Sequence, residues 1–312
     1  MRPYFPLSFA VVAAFAIACG GDTLRPLPSL PDAGAIDAAP TARVRFATFN
    51  VHRFFDTVCD SGDCNGAGSY EDVATKAQFD STAARLGTGI RGLAVDVVML
   101  EEIETQPCLD ALMAHLTDVL PYGELGETGA PASVDVAILS AAPIESVVRH
   151  RDQLIQRPDG STTTFSRELL EVHLTLHGRH VIAFAAHFRS KVNDDPGRRL
   201  AEARATHDIV NAAAVAAPDA LVILGGDLND VPGSPPIDAL EGDGLLHRVA
   251  RDRALPDQGT YRFGTEWQAI DHLFQAGTAG GTYVKGSATS VRGNPGYAGS
   301  DHAALRADFD LR

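Results

Sequence analysis

The stretch Leu221 to Leu224, running into Gly225-Gly226-Asp227-Leu228-Asn229-Asp230, constrains this chain more than any other. A short uninterrupted apolar run reads as a buried strand, and a strand covered on both faces needs further layers above and below it. The two glycines predict a tight turn. Beyond them an extended backbone would turn Asp227 and Asn229 to one side while Leu228 packs away. A carboxylate and an amide placed so suit a hard cation, but they also suit an ordinary turn. The choice depends on what the other strand ends carry.

Those ends carry similar groups. Arg43 to Phe49 alternates β-branched and aromatic residues and predicts a strand ending at Asn50. Phe79, Ala83, Leu86, Ile90 and Leu93 recur at helical spacing. The mainly apolar run Val95 to Leu100 then delivers Glu101 and Glu102. Pro107 near a helix start, with Leu109, Leu112, Leu116 and Leu120 on one face, predicts a second helix. Val134 to Ser140 is a further strand, and Arg167 to Leu176 with His180 to Ala186 a hairpin turning at Gly178-Arg179. Its first arm alternates, so His173, His177 and His180 are expected on a solvated face. His187 follows the apolar run Val181 to Ala186 and has Arg189 and Lys191 as neighbours, company that suits phosphate contact. The alanine-rich segment 197–217 predicts a helix whose Arg198, Arg199 and Arg204 form a solvated face. Gln268 to Phe274 contains Asp271 and His272, and the last strand, Ala303 to Leu311, is introduced by Ser300-Asp301-His302.

A chain of 312 residues with 45% hydrophobic content can bury a full core. Its net charge of −14 argues against a broad basic surface tracking a nucleic-acid backbone. It leaves room for a local phosphate site of a few arginines around a divalent metal. Arg2 and the apolar run Leu7 to Ala18 have the layout of a signal peptide, residues 1–18, too short to span a bilayer as a mature helix. Ala16-Ile17-Ala18-Cys19 resembles a bacterial lipobox, although Ala16 stands where Leu is usual. The expectation is export in either case, as a cell-envelope lipoprotein anchored through Cys19 or as a secreted protein. Residues 20–42, rich in Pro, Ala and Asp, read as a disordered linker, with a catalytic domain over 43–312.

Export permits disulfides. Cys59 and Cys64 can close a short loop and leave Cys108 odd, while a bridge from either loop cysteine to Cys108 is equally allowed. Ser61, Asp63, Asn65, Gly66 and Asp72 fall on calcium-loop spacing, but a first Ser and a last Asp in place of Glu argue against Ca2+ in the 61–72 loop.

Taken in order, Thr48-Phe49-Asn50-Val51, Leu100-Glu101-Glu102, Val136 to Ser140, His187-Phe188-Arg189-Ser190-Lys191, Gly225 to Asp230, Ile270-Asp271-His272 and Ser300-Asp301-His302 resemble the motifs of the endonuclease/exonuclease/phosphatase family. The resemblance covers essentially all of 43–312. It implies an α/β fold, a DNase I-like four-layer sandwich of two mixed β-sheets flanked by helices, and metal-dependent hydrolysis of phosphate esters. Position by position it makes Asn50, Glu102 and Asp301 ligands of a catalytic Mg2+, for which Mn2+ can substitute. His187, Asp227, Asn229, Asp271 and His302 become the catalytic group, and Arg167 and Lys191 contacts to the substrate phosphate. The chemistry agrees: in-line attack at phosphorus needs a metal, a proton acceptor for water and donors around the equatorial oxygens.

Two departures bear on substrate. His52 and Arg53 follow Val51 where an acidic residue is common, and Ala141-Ala142 replaces a frequent basic residue. His-Phe-Arg-Ser-Lys and the Asp-rich loop are similar to the exported nuclease-like branch, so nucleic acid is the expected partner. The alternatives are a phosphomonoesterase or a phospholipid or inositol-phosphate phosphodiesterase, and a non-catalytic binding lipoprotein.

Overall fold

The computed structural model describes residues 42–64 and 66–312. The signal-like segment, Cys19 and all but the last residue of the 20–42 linker lie outside them, as does Asn65 of the acidic loop.

In chain order the elements are β1 (Arg43–Phe54), α1 (Lys76–Leu93), β2 (Val97–Ile103), α2 (Gln106–Met113), β3 (Tyr122–Gly126), β4 (Asp135–Ser140) and β5 (Ile144–Arg149). A small ribbon of β6 (Ile155–Gln156) and β7 (Thr162–Thr163) precedes β8 (Leu170–Leu176), β9 (Arg179–His187), α3 (Pro196–Ala216), β10 (Leu221–Asp227), α4 (Pro235–Glu241) and β11 (Leu246–Arg248). A second ribbon, β12 (Tyr261–Phe263) with β13 (Glu266–Gln268), leads to β14 (Asp271–Ala276), β15 (Gly281–Tyr283), β16 (Thr289–Val291) and β17 (Ala304–Leu311).

The strands make two mixed sheets. The first runs β15-β17-β1-β2-β4-β3, with β16 also on β17, and the second runs β11-β14-β10-β9-β8-β5. Between them Val44, Phe46, Val97, Met99, Val136 and Ile138 of the first sheet pack on Val172, Leu174, Val181, Ala183, Leu221 and Ile223 of the second. The intervening residues face outward, onto Leu86, Ile90, Leu109 and Leu112 of α1 and α2 on one side and Ala203, Val210, Ile237 and Leu240 of α3 and α4 on the other. Four layers follow, as expected. Each fully buried Leu, Ile or Phe contributes roughly 1.5–3 kcal/mol.

The helix starts are encoded locally. The Thr75 side chain accepts from Gln78 N while the Gln78 side chain returns to Thr75 N, a capping box for α1. Asp195 caps α3 through Arg198 N. Helix α2 stops at Met113, shorter than its leucine spacing predicts, and Leu116 and Leu120 are buried from the turns beyond.

Three expectations are corrected. Gly225 and Gly226 lie inside β10 and form no turn. A Cβ on Gly226 would sit 1.9 Å from the Ala186 carbonyl oxygen, and one on Gly225 would sit 2.3 Å from Met99 Cε of the facing sheet. Close approach of neighbouring backbone and side chain is what demands glycine here. Arg199 is buried: its Nε donates to Asp230 Oδ2 at 3.0 Å and its Nη1 to Asp194 Oδ1 at 2.7 Å. The face of β8 read as solvated is partly covered, with Glu171 buried between His150 Nε2 (2.8 Å) and His173 Nε2 (2.7 Å). Cys59 and Cys64 form the disulfide, and Cys108 is free and buried.

Candidate active site

Strand alternation builds the site. Val44 and Phe46 of β1 face the other sheet, so Thr48 and Asn50 do too; Val97 and Met99 of β2 bring Glu101 with them. In the second sheet the inward residues of β9, β10 and β14 lead in the same way to His187, Asp227 and Asp271. Register then aligns them. Asn50 is opposite Glu101 in the first sheet, while His187, Asp227 and Asp271 form one row across the second.

The two rows touch. Asn50 Nδ2 donates to Asp227 Oδ2 at 3.0 Å and to Glu102 Oε1 at 3.2 Å. Glu102 leaves the alternation, because both ladders of β2 shift register beside it and its φ is 70°. That backbone costs on the order of 1–3 kcal/mol in a non-glycine residue, and it is held by Arg53 N donating to Glu102 Oε2 at 2.8 Å. His52, Arg53 and Asn229 also have positive φ, so strain gathers around this group.

Asp227 takes Asn229 N on Oδ1 at 2.9 Å, and Asn229 Nδ2 donates to the Phe188 carbonyl at 3.1 Å. Asn229 is left-handed, so it reaches the site through a turn and not by extended alternation with Asp227. His302 enters from the start of β17. Ser300 Oγ donates to the Asn50 carbonyl at 2.7 Å and accepts His302 N at 2.9 Å, which fixes the motif to β1. Asp271 holds His302 Nδ1 at 2.9 Å, leaving Nε2 3.9 Å from Asp227 Oδ2. His187 Nε2 lies 3.7 Å from the same oxygen. Thr260 Oγ1 accepts Asp271 N at 3.0 Å and Ile270 N at 3.2 Å, which fixes the backbone that carries Asp271.

These environments separate the protonation states. Burial alone would depress His302, but Asp271, with Asp227 and Asp301, outweighs it and raises the pKa to about 10. Burial, then the Asp271 charge, pushes Asp227 up to about 7, against the pull of His302 and of its hydrogen bonds from Asn229 and Asn50. Burial and the positive charges of Arg167 and His302 hold His187 far below the usual histidine range.

Asp301 is ion-paired with His52 Nδ1 at 3.0 Å. Arg167 Nη1 donates to the Phe188 carbonyl at 3.2 Å, near enough to His187 for its charge to act there. Lys191 is half-exposed, and its Nζ is taken by Asp230 Oδ1 at 3.0 Å. Asp230 also receives Arg199 on its other oxygen and His272 Nε2 on its carbonyl at 2.9 Å, so Lys191 helps to pin the loop after Asp227. The clefts lined by His247, Arg251 and Lys285 and by Gln153, Arg157 and Arg204 share no residue with this site.

Among the described residues, the acidic group here whose ligand atoms converge within 4.8 Å is Asp227, Asp271 and His302. Asp271 and His302 already satisfy each other, and Asp227 is held by Asn50 and Asn229. The Glu102 carboxylate fits a magnesium ion better, because Mg2+ binds through one or two carboxylates and keeps several waters; Asn50 can join it only through Oδ1, which here accepts His52 N at 2.9 Å. The Asn50 amide orientation follows from its hydrogen bonds, and it leaves two carboxylate oxygens, of Glu102 and Asp227, converging on one point.

Several residues around the site are assigned no role by the motifs. Glu101 is fully buried, accepts Thr48 Oγ1 at 2.7 Å on Oε1, and is driven well above the usual carboxylate range by burial and by Asp271. Its position in the Val97, Met99, Glu101 alternation is the signal that identifies it. Tyr261 lies 4.8 Å from His302 between ring centroids. The Arg53 guanidinium lies 4.5 Å over the ring of Tyr70, whose hydroxyl feels the charges of Glu102 and Arg167.

Comparison with solved structures gives the same fold at low identity. D. rerio TDP2 complexed with single strand DNA product has a TM-score of 0.60 at 16% identity, over 86% of this chain and 99% of that one. The human Nocturnin catalytic domain with bound sulfate anion has 0.60 at 15%, over 86% and 95%. Beta toxin from Staphylococcus aureus has 0.56 at 18%, over 85% and 99%. No curated protein matches the sequence. The model of the Endonuclease/Exonuclease/phosphatase family matches residues 47–302, a span that contains every residue of the site, and the chain belongs to that family of divalent-metal-dependent phosphoric ester hydrolases.

Proposed function

We propose that this chain is an exported, magnesium-dependent phosphodiesterase that cleaves nucleic acid. The observation that carries the reading is the meeting of Asn50, Glu102 and Asp227 beside a histidine whose proton is held by Asp271. Glu102 would hold the metal with Asn50 Oδ1, joined by Asp301 on release from its ion pair with His52, and the ion would offset charge on a phosphoryl oxygen. Mn2+ suits the same oxygen donors.

The chain's own groups divide the remaining work. Asp227, raised toward neutrality, accepts the proton of the attacking water. Asn229 positions that water and the phosphate. His302, kept protonated by Asp271, and neutral His187 donate to the phosphoryl oxygens or the leaving oxygen. Arg167 supplies a fixed positive charge on the substrate side, with Lys191 at the rim.

Nucleic acid is favoured by Arg53 stacked on half-exposed Tyr70 next to Glu102. An aromatic face backed by a guanidinium suits a base flanking the scissile phosphate. The net charge of −14 favours the second reading, a phospholipid or inositol-phosphate substrate, because polyanion binding then lacks a broad basic surface. The lipobox-like segment supports attachment to the cell envelope through Cys19; among the described residues no helix is long and apolar enough to cross a membrane.

A panel of plasmid DNA, RNA, sphingomyelin and inositol phosphates, with and without magnesium, tests the substrate. Magnesium-dependent cleavage of DNA or RNA is expected, and turnover confined to the lipid or inositol substrates overturns the nuclease reading. Cell fractionation of wild type and Cys19→Ser tests the anchor, with release from the membrane fraction expected only for the variant.

A further inference from the structure

We propose that Asp56, Glu104 and Cys108 form a second metal site, separate from the catalytic group, that takes a borderline-soft divalent cation of the Zn2+ class. One ligand atom of each residue lies within 4.8 Å of the others, and all three residues are buried. Asp56 follows β1, Glu104 follows β2, and Cys108 lies in the first turn of α2, so three segments converge there.

The hydrogen bonds around the cluster leave it incomplete. Asp56 Oδ1 accepts Val58 N at 2.7 Å and Oδ2 accepts Thr105 Oγ1 at 3.0 Å. Glu104 Oε2 accepts Asp56 N at 2.8 Å, but Glu104 Oε1, in a side chain only 1% exposed, accepts nothing. A buried carboxylate oxygen without a partner is destabilising, because it has lost its water and gained nothing in return. The charges bearing on Glu104 are those of Asp56, Glu71 and Asp60, all negative. No cationic side chain is among these contacts, so either a proton on Glu104 or a bound cation must offset this concentration.

Thr105 strengthens the case. It occupies the N-cap of α2, where threonine normally accepts a helix N–H, yet it makes no side-chain cap bond. Its hydroxyl instead bridges Asp56 Oδ2 and Cys108 Sγ, the latter at 3.4 Å. The thiol is free because Cys59 and Cys64 bond to each other. Burial pushes the Cys108 thiol up to about 11, so the cation would displace its proton to solvent; one thiolate with two carboxylates and a water is then a donor set that zinc accepts, and the thiolate selects against magnesium and calcium. Occupancy would clamp the root of the acidic loop that leads from Asp56 to Tyr70.

The test uses the full-length protein, its Cys59–Cys64 bond intact, titrated with Co2+ as a spectroscopic stand-in for Zn2+. A thiolate-to-cobalt charge-transfer band saturating at one equivalent is expected in wild type, Cys19→Ser and Glu102→Gln. It should vanish in Cys108→Ser, and Glu104→Gln should weaken Co2+ binding at least tenfold. Absence of the band from folded wild type with one buried free thiol, or its survival in Cys108→Ser, overturns the proposal. A second readout does not depend on the cysteine variant folding: Zn2+ should raise the melting temperature of wild type and Glu102→Gln but not that of Glu104→Gln, and an equal rise in all three also overturns it.

Discussion

Asn50 and Asp227 stand 177 residues apart and in different sheets, yet the amide of one donates to the carboxylate of the other at 3.0 Å. The same nitrogen donates to Glu102, so one neutral donor separates two carboxylates. Asn50→Asp replaces it with a third carboxylate. The expected result is a loss of about 1–3 kcal/mol of stability in metal-free protein, partly recovered on adding magnesium. Thermal melts with and without the ion check this, and a melting temperature indifferent to magnesium would count against Asn50 as a ligand.

Asp271 is the group that keeps His302 protonated. Asp271→Asn removes the nearest negative charge, so the His302 pKa falls from its raised value toward or below that of an ordinary histidine. Turnover should drop about 10²- to 10⁴-fold, and the alkaline limb of kcat/KM should move to lower pH. An unshifted alkaline limb would show that His302 is not the proton donor.

How much of this was legible in the sequence follows from where each group sits. Asn50, His187 and Asp227 lie on strands, where a period of two and an apolar run place them; only the apolar run and the motif point to Glu102 and His302, since Glu102 leaves the alternation and His302 precedes β17. Glu101 was equally readable from alternation. Gly225-Gly226 was not, because a glycine pair after an apolar run signals a turn unless the Ala186 carbonyl on the neighbouring strand is known. Arg199 looked solvated because its two carboxylate partners come from the loop before α3 and the turn after β10. The Arg53–Tyr70 stack depends on the path of the acidic loop, which no periodicity specifies.

The two glycines differ in what they would meet. A Gly225→Ala methyl reaches the flexible end of Met99, whereas a Gly226→Ala methyl reaches backbone at Ala186. Overpacking typically costs about 1–3 kcal/mol, so Gly225→Ala should fall within that range and Gly226→Ala beyond it. Urea unfolding of both variants measures the order, and a Gly226→Ala protein as stable as Gly225→Ala would refute the packing argument.

His272 is buried behind the site with Nε2 hydrogen-bonded to the Asp230 carbonyl, and burial lowers its pKa to about 4. An unfolded histidine titrates near pH 6.5. Between those values the unfolded chain binds the proton and the folded chain does not, so stability falls as pH drops through that window. The loss is on the order of 3 kcal/mol. Urea midpoints from pH 7 to 4 should fall more steeply for wild type than for His272→Gln; parallel curves would remove His272 from the acid sensitivity.

The most direct test of the central claim is the rate of hydrolysis of a chromogenic phosphodiester by the full-length protein, with magnesium and with chelator, for wild type, Glu102→Gln and Asp227→Ala. Magnesium-dependent turnover in wild type and a loss of at least about 100-fold in each variant are expected, with folding unchanged by circular dichroism. Turnover that survives the chelator, or a fully active Asp227→Ala, would contradict that claim.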